Sequence, residues 1–492
     1  MVTQQPARTS LEKRQFISEY SRWLEQGTAA LFVGAGLSKQ AGYPDWRALL
    51  KDIAAELHID LDQEHDLAGV AQWFINKSGK TRARIGQVVK DSFADKTDVP
   101  ANHRILARLP VRQIWTTNYD RLIERAWELQ RRHIDVKALK SDLNISDSWA
   151  DTTLYKMHGT VAHPAEIVIA TDDYELYRRQ RGGFLQLLNG HLIGLHFLFL
   201  GFSFRDPNIG HLLGLIRETM DETPTQHYAI VRRPKRHVGT DADRIFEYET
   251  SRHSHWIHDL QRYGINCIEV DEYDDVTTLL AELEASVSRR SIFVSGSYPE
   301  ALRDPQREII ENVSTAVGEI IALKDLRLVS GFGSVVGSSV VSGLLGQIYA
   351  SGIPSLDRKL FLRPFPQAIP TGFDKKSFQQ RYREDLIQQA GICVFIGGFR
   401  HVKDTVEPAL GVLQESEIAL AEGKVLIPIA ATGGSAAEIW TRINNNGAGA
   451  LAKLPEDIFQ RLGARSMPLA DISATLNEAI TSVRHVGTRG DI

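Results

Sequence analysis

At 492 residues the chain is long enough for about two to four domains, each with its own buried core. Its 43% hydrophobic and 24% charged content is that of an ordinary globular protein, not a disordered or membrane-spanning one. A net charge of −4 provides no basic field for nucleic acid, and two cysteines exclude both a disulfide framework and a four-thiolate zinc site.

The opening MVTQQPARTS has no apolar signal core. The longest apolar run, 192–204, is broken by Gly194, His196, Gly201 and Ser203 and is too short to span a bilayer. The chain is therefore expected in the cytoplasm, with no membrane partner. Residues 10–27 read as a helix capped by Ser10, with Phe16, Ile17, Tyr20, Trp23 and Leu24 near one face and Gly27 at its end.

The stretch that follows, TAALFVGAGLSKQAG at 28–42, organises the rest. An apolar run, 29–33, meets Gly34-Ala35-Gly36 and a helix start at Ser38. A buried strand, a tight glycine turn and a helix N-terminus together make a corner suited to phosphate. The glycines let backbone approach, and the N–H groups with the helix dipole favour negative charge. Alone, the corner also fits a purely structural turn.

Residues 45–108 read as a helical insertion. Strand character returns at 111–117 (VRQIWTT), ending in Asn118-Tyr119-Asp120. Further strands are expected at 153–157, ending in His158-Gly159; at 166–170; at 196–200, ending in GFSFRDPN; and at 228–232 and 265–270. Strands alternating with helices, with polar motifs at strand C-terminal ends, describe an open parallel sheet with its ligands above those ends. The pattern restarts after a charged helix at 274–290, with strands at 292–294, 326–329, 392–396 and 425–429, each running into glycine-rich turns. The boundary falls near 288, giving domains 1–287 and 288–492. The fold class is α/β, with two doubly wound, mostly parallel sheets. Cys267 and Cys393 sit in apolar strand-like runs and read as packing residues.

Four loops of the first sheet carry reactive side chains: GAGLS at 34–38, TTNYD at 116–120, KMHG at 156–159 and GFSFRDPN at 201–208. In this order they resemble the sirtuin superfamily, over roughly residues 10–270. There the glycine corner holds NAD, an Asn and an Asp follow a Thr-rich strand end, and a His-Gly pair supplies the catalytic base. The resemblance implies a Rossmann domain whose catalytic residues are Asn118 and His158. Chemically, nicotinamide leaves a ribose carbon that becomes cationic. Asn118 offers an uncharged donor and acceptor to orient a ribose hydroxyl and water, and His158 is poised for proton transfer near neutral pH. Gly34, Ala35, Gly36 and Ser38 are expected to hold phosphate, with Gly201 and Ser203 from the later loop. Asp120 either orients the amide pocket or caps the next helix. Protein-deacylating sirtuins carry a Cys-x-x-Cys zinc ribbon, which two isolated cysteines exclude. The expected acceptor is water, which makes NAD+ a substrate and leaves no resident cofactor or metal. A protein deacylase and a non-enzymatic nucleotide sensor are the alternatives.

In the second half, SGS at 295–297 and SGFGSVVGS at 330–338 each follow a strand and precede a helix, and Arg363, Arg381, Arg383 and Arg400 can bind phosphate. Glu415 and Glu417 can accept bonds from ribose hydroxyls, or belong to a solvated helix face. This half resembles the SLOG-type Rossmann family of nucleotide sensors. The two-domain order is similar to the NAD-hydrolysing effectors of Thoeris anti-phage systems. That resemblance rests on NHRILARLP at 102–110, TTNYDRLIE at 116–124, FLFLGFSFRDPN at 197–208, VSGFG at 329–333 and LRPFPQ at 362–367. It implies a C-terminal domain that senses a cyclic ADP-ribose isomer made by a TIR-domain partner, and assembly into tetramers or larger arrays. It places activator contacts on Arg383, Arg400 and Glu415, to which the glycine loops add Gly296, Ser297, Gly331 and Gly333 as positions where a phosphate can approach backbone.

Overall fold

The computed structural model describes residues 5–94, 98–202, 204, 210, 213–214, 224–236, 241–333, 335–352, 359–366, 368–369, 371–372, 374–403 and 405–484. The chain divides into two compact units, Met1–Glu284 and Ala285–Ile492. Each is built on its own parallel sheet.

The first sheet contains β1 (Ala29–Val33), β2 (Gln113–Thr116), β3 (Ile134–Lys137), β4 (Thr152–Lys156), β5 (His196–Leu200), β6 (His227–Arg232) and β7 (Ile265–Val270). They lie in the order β3-β4-β2-β1-β5-β6-β7, every neighbouring pair parallel. Central strand β1, AALFV, is buried at every residue, as an unbroken apolar run must be when helices cover both faces of a sheet. The chain turns to one side of β1 to form β2 and returns to the other to form β5. In such a sheet the crevice for a ligand opens where that direction changes, above the ends of β1 and β5.

The first helix spans Gln5–Gln26, so Ser10 lies inside it and does not cap it. Its buried side chains include Phe16, Tyr20, Trp23 and Leu24, and the Tyr20 hydroxyl donates to the Ala30 carbonyl at 2.6 Å, tying the helix to β1. The stretch between β1 and β2 is helical as expected, with helices Trp46–Leu49, Lys51–Glu56, Leu67–Lys77, Ala83–Ser92 and Ala101–Leu106. Leu50, Ile53, Val70, Phe74, Ile85 and Val89 pack there against Tyr119, Ile167 and Ile169, so the insertion braces the loops above the sheet.

The strand expected at 166–170 does not form. Pro164–Glu166 is a 3-10 turn, and the Ile169 and Ala170 amides donate to the Asp173 carboxylate instead of a ladder partner. The apolar run there is buried against the insertion, which a short apolar sequence cannot distinguish from a place in a sheet. The edge strand β3 was not read from the sequence.

The second unit holds β8 (Ser291–Ser297), β9 (Arg327–Ser330), β10 (Leu360–Leu362), β11 (Ile392–Gly397) and β14 (Val425–Ile429), in the parallel order β10-β9-β8-β11-β14. Its direction changes between β8 and β11. A two-stranded antiparallel hairpin, β12 (Phe399–Val402) and β13 (Thr405–Pro408), follows β11. Neither β10 nor the hairpin has the length or alternation to be read from sequence. Among the described residues, no helix is long and apolar enough to cross a membrane.

Candidate active site

The glycine corner and the loop after β5 are locked together. The Gly34 N–H donates to the Leu200 carbonyl at 2.8 Å and the Gly36 N–H to the Gly201 carbonyl at 2.9 Å. A Cβ on Gly201 would stand 2.3 Å from the Leu37 nitrogen, and Gly201 has a φ of +61°, so no other residue fits without displacing backbone. Contact between the two loops therefore already requires these glycines. Two of the corner's amides are engaged by it, so a phosphate here would be held by the other groups of the corner. Ala35 opens the short helical turn Ala35–Ser38. Ser203, the other expected phosphate ligand, lies outside the described residues.

The Ser38 side chain turns inward. Its hydroxyl donates to Asp120 Oδ2 at 2.8 Å and accepts from Asn118 Nδ2 at 3.1 Å. All three side chains are buried. The other Asp120 oxygen accepts from the Leu122 amide at 3.0 Å, fixing the start of the helix Leu122–Leu129. Asp120 thus both holds the first amide of a helix, from the residue before its N-cap, and faces the corner. Asn118 is held from behind as well: its amide donates to Thr116 Oγ1 at 3.0 Å, and that hydroxyl donates to the Val33 carbonyl at 2.8 Å. With its amide nitrogen engaged, Asn118 is left with a buried carbonyl oxygen, Oδ1, that has no hydrogen-bond partner among the described residues. A buried acceptor in that state is costly and marks a place where a ligand hydroxyl or water fits.

His158 comes from the neighbouring strand. β2 and β4 pair with Thr116 opposite Lys156, and the Met157 amide donates to the Thr116 carbonyl at 3.1 Å. Asn118 and His158 each follow that register pair by two residues. The imidazole is buried, edge-on to Tyr174 with ring centres 5.8 Å apart, and its carbonyl accepts from the Val168 amide at 3.0 Å. Gly159, with φ +85°, turns the chain under the Glu166 carbonyl.

Two buried cations support these loops and were not singled out from sequence. Lys156 donates to Glu124 Oε1 at 2.9 Å and also to the main-chain carbonyl of Asp120. Arg181 donates to the Ala138 carbonyl at 2.8 Å and to that of Glu166, and burial holds its guanidinium pKa below the usual value. The signal for Lys156 was available: a lysine in the otherwise apolar strand end TTLYKMH must find a partner inside.

Comparison with known proteins gives two domain matches. Residues 112–256 match a SIR2-like domain and residues 275–486 match the Sir2- and TIR-associating SLOG family. A protein of Bacillus cereus (strain MSX-D12) called NAD(+) hydrolase ThsA is 35% identical over 471 residues, 94% of this chain and 97% of that protein. Its namesake in Enterococcus faecium is 34% identical over 446 residues, 89% of this chain and 91% of that one. The chain belongs to the ThsA family. Defense-associated sirtuin 2 of Bacillus subtilis is 28% identical over 216 residues, covering 42% of this chain but 21% of that protein.

The second unit of this ThsA-family chain has a polar cluster at the direction change of its own sheet. Ser295, near the end of β8, donates to Glu415 Oε2 at 2.5 Å. The guanidinium of Arg383, on the helix Lys375–Ile387, lies 3.6 Å from Glu415 Oε1, an ion pair too long to be a hydrogen bond. Arg383 Nε is buried without a hydrogen-bond partner among the described residues. The same guanidinium lies 5.2 Å from the centre of the Phe365 ring, within cation–π range. Burial pushes the Glu415 carboxyl up, opposed by the Ser295 bond and the Arg383 charge. Burial likewise pushes the Tyr382 hydroxyl up to about 12.

The expected glycines line the same place. A Cβ on Gly296 would meet the Ile396 carbonyl at 2.1 Å, one on Gly333 the Gly296 carbonyl at 2.9 Å, and one on Gly331 the Tyr382 hydroxyl at 3.3 Å. The Ser297 hydroxyl donates to the Phe399 carbonyl at 2.9 Å, anchoring the hairpin. Arg400 is on that hairpin, half-exposed, and its ion-pair partner is Glu407 across the turn at 3.3 Å. Arg383 and Glu415 are brought together with Ser295; among the described residues Arg400 makes its ion pair with Glu407 and none with that cluster.

Proposed function

We propose that this chain is an NAD+ glycohydrolase of bacterial anti-phage defence, switched on by a cyclic ADP-ribose isomer. Water attacks the anomeric carbon of the nicotinamide ribose as the bond to the nicotinamide nitrogen breaks. The bond's electron pair leaves with neutral nicotinamide, the water oxygen joins the ribose to give ADP-ribose, and the water's proton passes to His158. Asn118 presents Oδ1 to the water or a ribose hydroxyl. Ser38 and Asp120 hold that amide, and the corner at Gly34, Ala35 and Gly36 with the loop at Gly201 and Ser203 takes the phosphates. NAD+ is substrate, and no resident cofactor enters the reading.

The observation that carries it is the buried, unpartnered Asn118 Oδ1, on a strand end adjacent to that of His158. The names of the relatives support the substrate and the setting. The near-complete burial of both side chains supports an enzyme that must open to admit NAD+, and hence one that a second site can switch. We assign catalysis to residues 1–287 and sensing to 288–492, with the activator on Gly296, Ser297, Gly331, Gly333, Arg383, Arg400 and Glu415. The messenger's source is a TIR-domain protein, in keeping with the name of the matching family, and the working form is a homotetramer or larger assembly.

The test is nicotinamide release from NAD+ with and without cyclic ADP-ribose isomers, in the parent, Asn118→Ala and His158→Ala. Activator-dependent release in the parent and its loss in both variants is the expected result. Retained turnover in both variants overturns the site. Release that requires an acetylated peptide, or tight NAD+ binding with no release under any activator, overturns the reaction.

A further inference from the structure

The ammonium of Lys156 is 1% exposed and sits where the two halves of the proposed active site meet. It is the last residue of β4, two residues before His158, which lies in the turn that follows. It reaches across to the neighbouring loop and donates to the main-chain carbonyl of Asp120, the residue whose carboxylate binds Ser38, which in turn binds Asn118. Glu124, one turn into the helix after that loop and 8% exposed, accepts its second bond at 2.9 Å. β4 is thus linked to the Asn118 amide through Lys156 on the main chain of Asp120, and through the Asp120 carboxylate and Ser38.

A buried lysine–glutamate pair is weak evidence for stability, because well-packed neutral residues of similar shape commonly replace such pairs without loss. A better account is geometric. β2 and β4 end at Thr116 and Lys156. Beyond them, among the described residues, the two loops are joined by the Met157 amide to the Thr116 carbonyl, by the Val161 amide to the Tyr119 carbonyl at 2.9 Å, and by Lys156 to the Asp120 carbonyl. The last is the one of these links made by a side chain aimed at the residue that holds Ser38. We infer that Lys156 is a positioning residue for the NAD+ cleavage proposed above: by holding the Asp120 carbonyl it sets the spacing of Asn118 and His158. Glu124 steers Lys156 toward that carbonyl. The inference rests on the hydrolase reading and adds a residue that touches neither substrate nor reacting atoms.

The experiment compares kcat and KM for activated NAD+ hydrolysis in the full-length parent, Glu124→Gln and the double variant Lys156→Met/Glu124→Gln. Rates are normalised to the number of ADP-ribose sites found by calorimetry, so that an unfolded fraction does not register as slow turnover. The double variant, which keeps volume and leaves no buried charge unpaired, is expected to bind ADP-ribose at one site per chain and to lose about 10- to 100-fold in kcat with KM nearly unchanged, the usual size of a small misplacement of reacting groups. Glu124→Gln, whose amide oxygen still accepts from Lys156, is expected to lose no more than about threefold. If the double change prevents folding, Lys156→Gln, which keeps a shorter donor, is measured the same way with the same expectation as the double variant. A loss-making variant that keeps parental kcat, or that loses only in KM, overturns the positioning role. A parent that releases no nicotinamide overturns the hydrolase reading and this inference with it, so the two failures are told apart by the parent alone.

Discussion

Asn118 and His158 each follow by two residues a facing pair, Thr116 and Lys156, in adjacent parallel strands. Neighbouring strands lie about 4.8 Å apart, so the two strand ends that lead into these residues are adjacent. Residues forty apart in sequence become neighbours because the sheet order puts β4 beside β2. The helices around them serve to close the space above.

The first prediction concerns the base. Removing a general base typically lowers turnover by about 10² to 10⁴. His158→Ala is expected to fall in that range while its melting temperature stays near the parent's, because the ring packs edge-on against Tyr174 and the core lies below it. Nicotinamide release followed against thermal unfolding separates the two effects. A loss of turnover matched by a loss of fold would make His158 a packing residue.

Ser38 is the second. Its hydroxyl is the shared partner of the Asn118 amide and the Asp120 carboxylate, at 3.1 and 2.8 Å. Ser38→Ala strands a buried donor and a buried charge, at a cost of about 1–3 kcal/mol. It should also free Asn118 to rotate and lower kcat by about tenfold or more. Ser38→Thr keeps the hydroxyl and should retain most of both. Denaturant unfolding and kcat, measured on the two variants, check this.

Much of this arrangement was legible in the sequence. Apolar runs ending in glycine or in short polar motifs mark strands buried on both faces, and the positions of β1, β2, β4, β5, β11 and β14 followed from that. Asn118, Asp120 and His158 could be picked out because the polar motifs that carry them end strands of one sheet in the order the sirtuin resemblance implies. What could not be read depended on contacts made only in three dimensions. The run at 167–170 is as apolar as a strand, yet Asp173 takes the amides a ladder would need. Edge strand β3, IDVK, alternates apolar and polar but is four residues long, too short for that pattern to stand out. The engagement of the Gly34 and Gly36 amides by the loop after β5 depends on strand order, as does the meeting of Lys156 with Asp120. The ion pair of Arg400 with Glu407 depends likewise on a hairpin that the sequence does not announce.

Arg383 carries the third prediction. Its guanidinium is held by Glu415, 3.6 Å from Nε, and by the face of Phe365, and Nε makes no hydrogen bond among the described residues. A phosphate of the activator would satisfy that donor, and charge-assisted bonds of this kind are worth about 1.5–3 kcal/mol. Arg383→Ala should therefore raise the activator concentration for half-maximal NAD+ hydrolysis by at least about tenfold. An activation curve that superimposes on the parent's would remove Arg383 from the sensing site.

The last prediction is about acid. His103, on the helix Ala101–Leu106, is 1% exposed, and neither ring nitrogen has a hydrogen-bond partner among the described residues. Burial pushes its pKa down from 6.5 to about 4. The unfolded chain therefore takes up a proton near pH 6.5, whereas the folded chain refuses one until about pH 4. Across that window the unfolded state binds more protons, so stability is fully present above pH 6.5 and falls as the pH drops toward 4, by up to about 1.4 kcal/mol per pH unit from this residue alone. His227 acts in the same direction, its pKa pushed down to about 3, but its Nδ1 accepts from the Phe197 amide at 3.1 Å, so replacing it breaks a bond as well. His103→Leu removes the titration and an unsatisfied polar ring together. Thermal unfolding at pH 7.5 and 5.5 should show a smaller acid-induced loss in the variant than in the parent, with little difference between them at the higher pH. Equal losses would mean that the imidazole is protonated inside the folded unit and has a partner there.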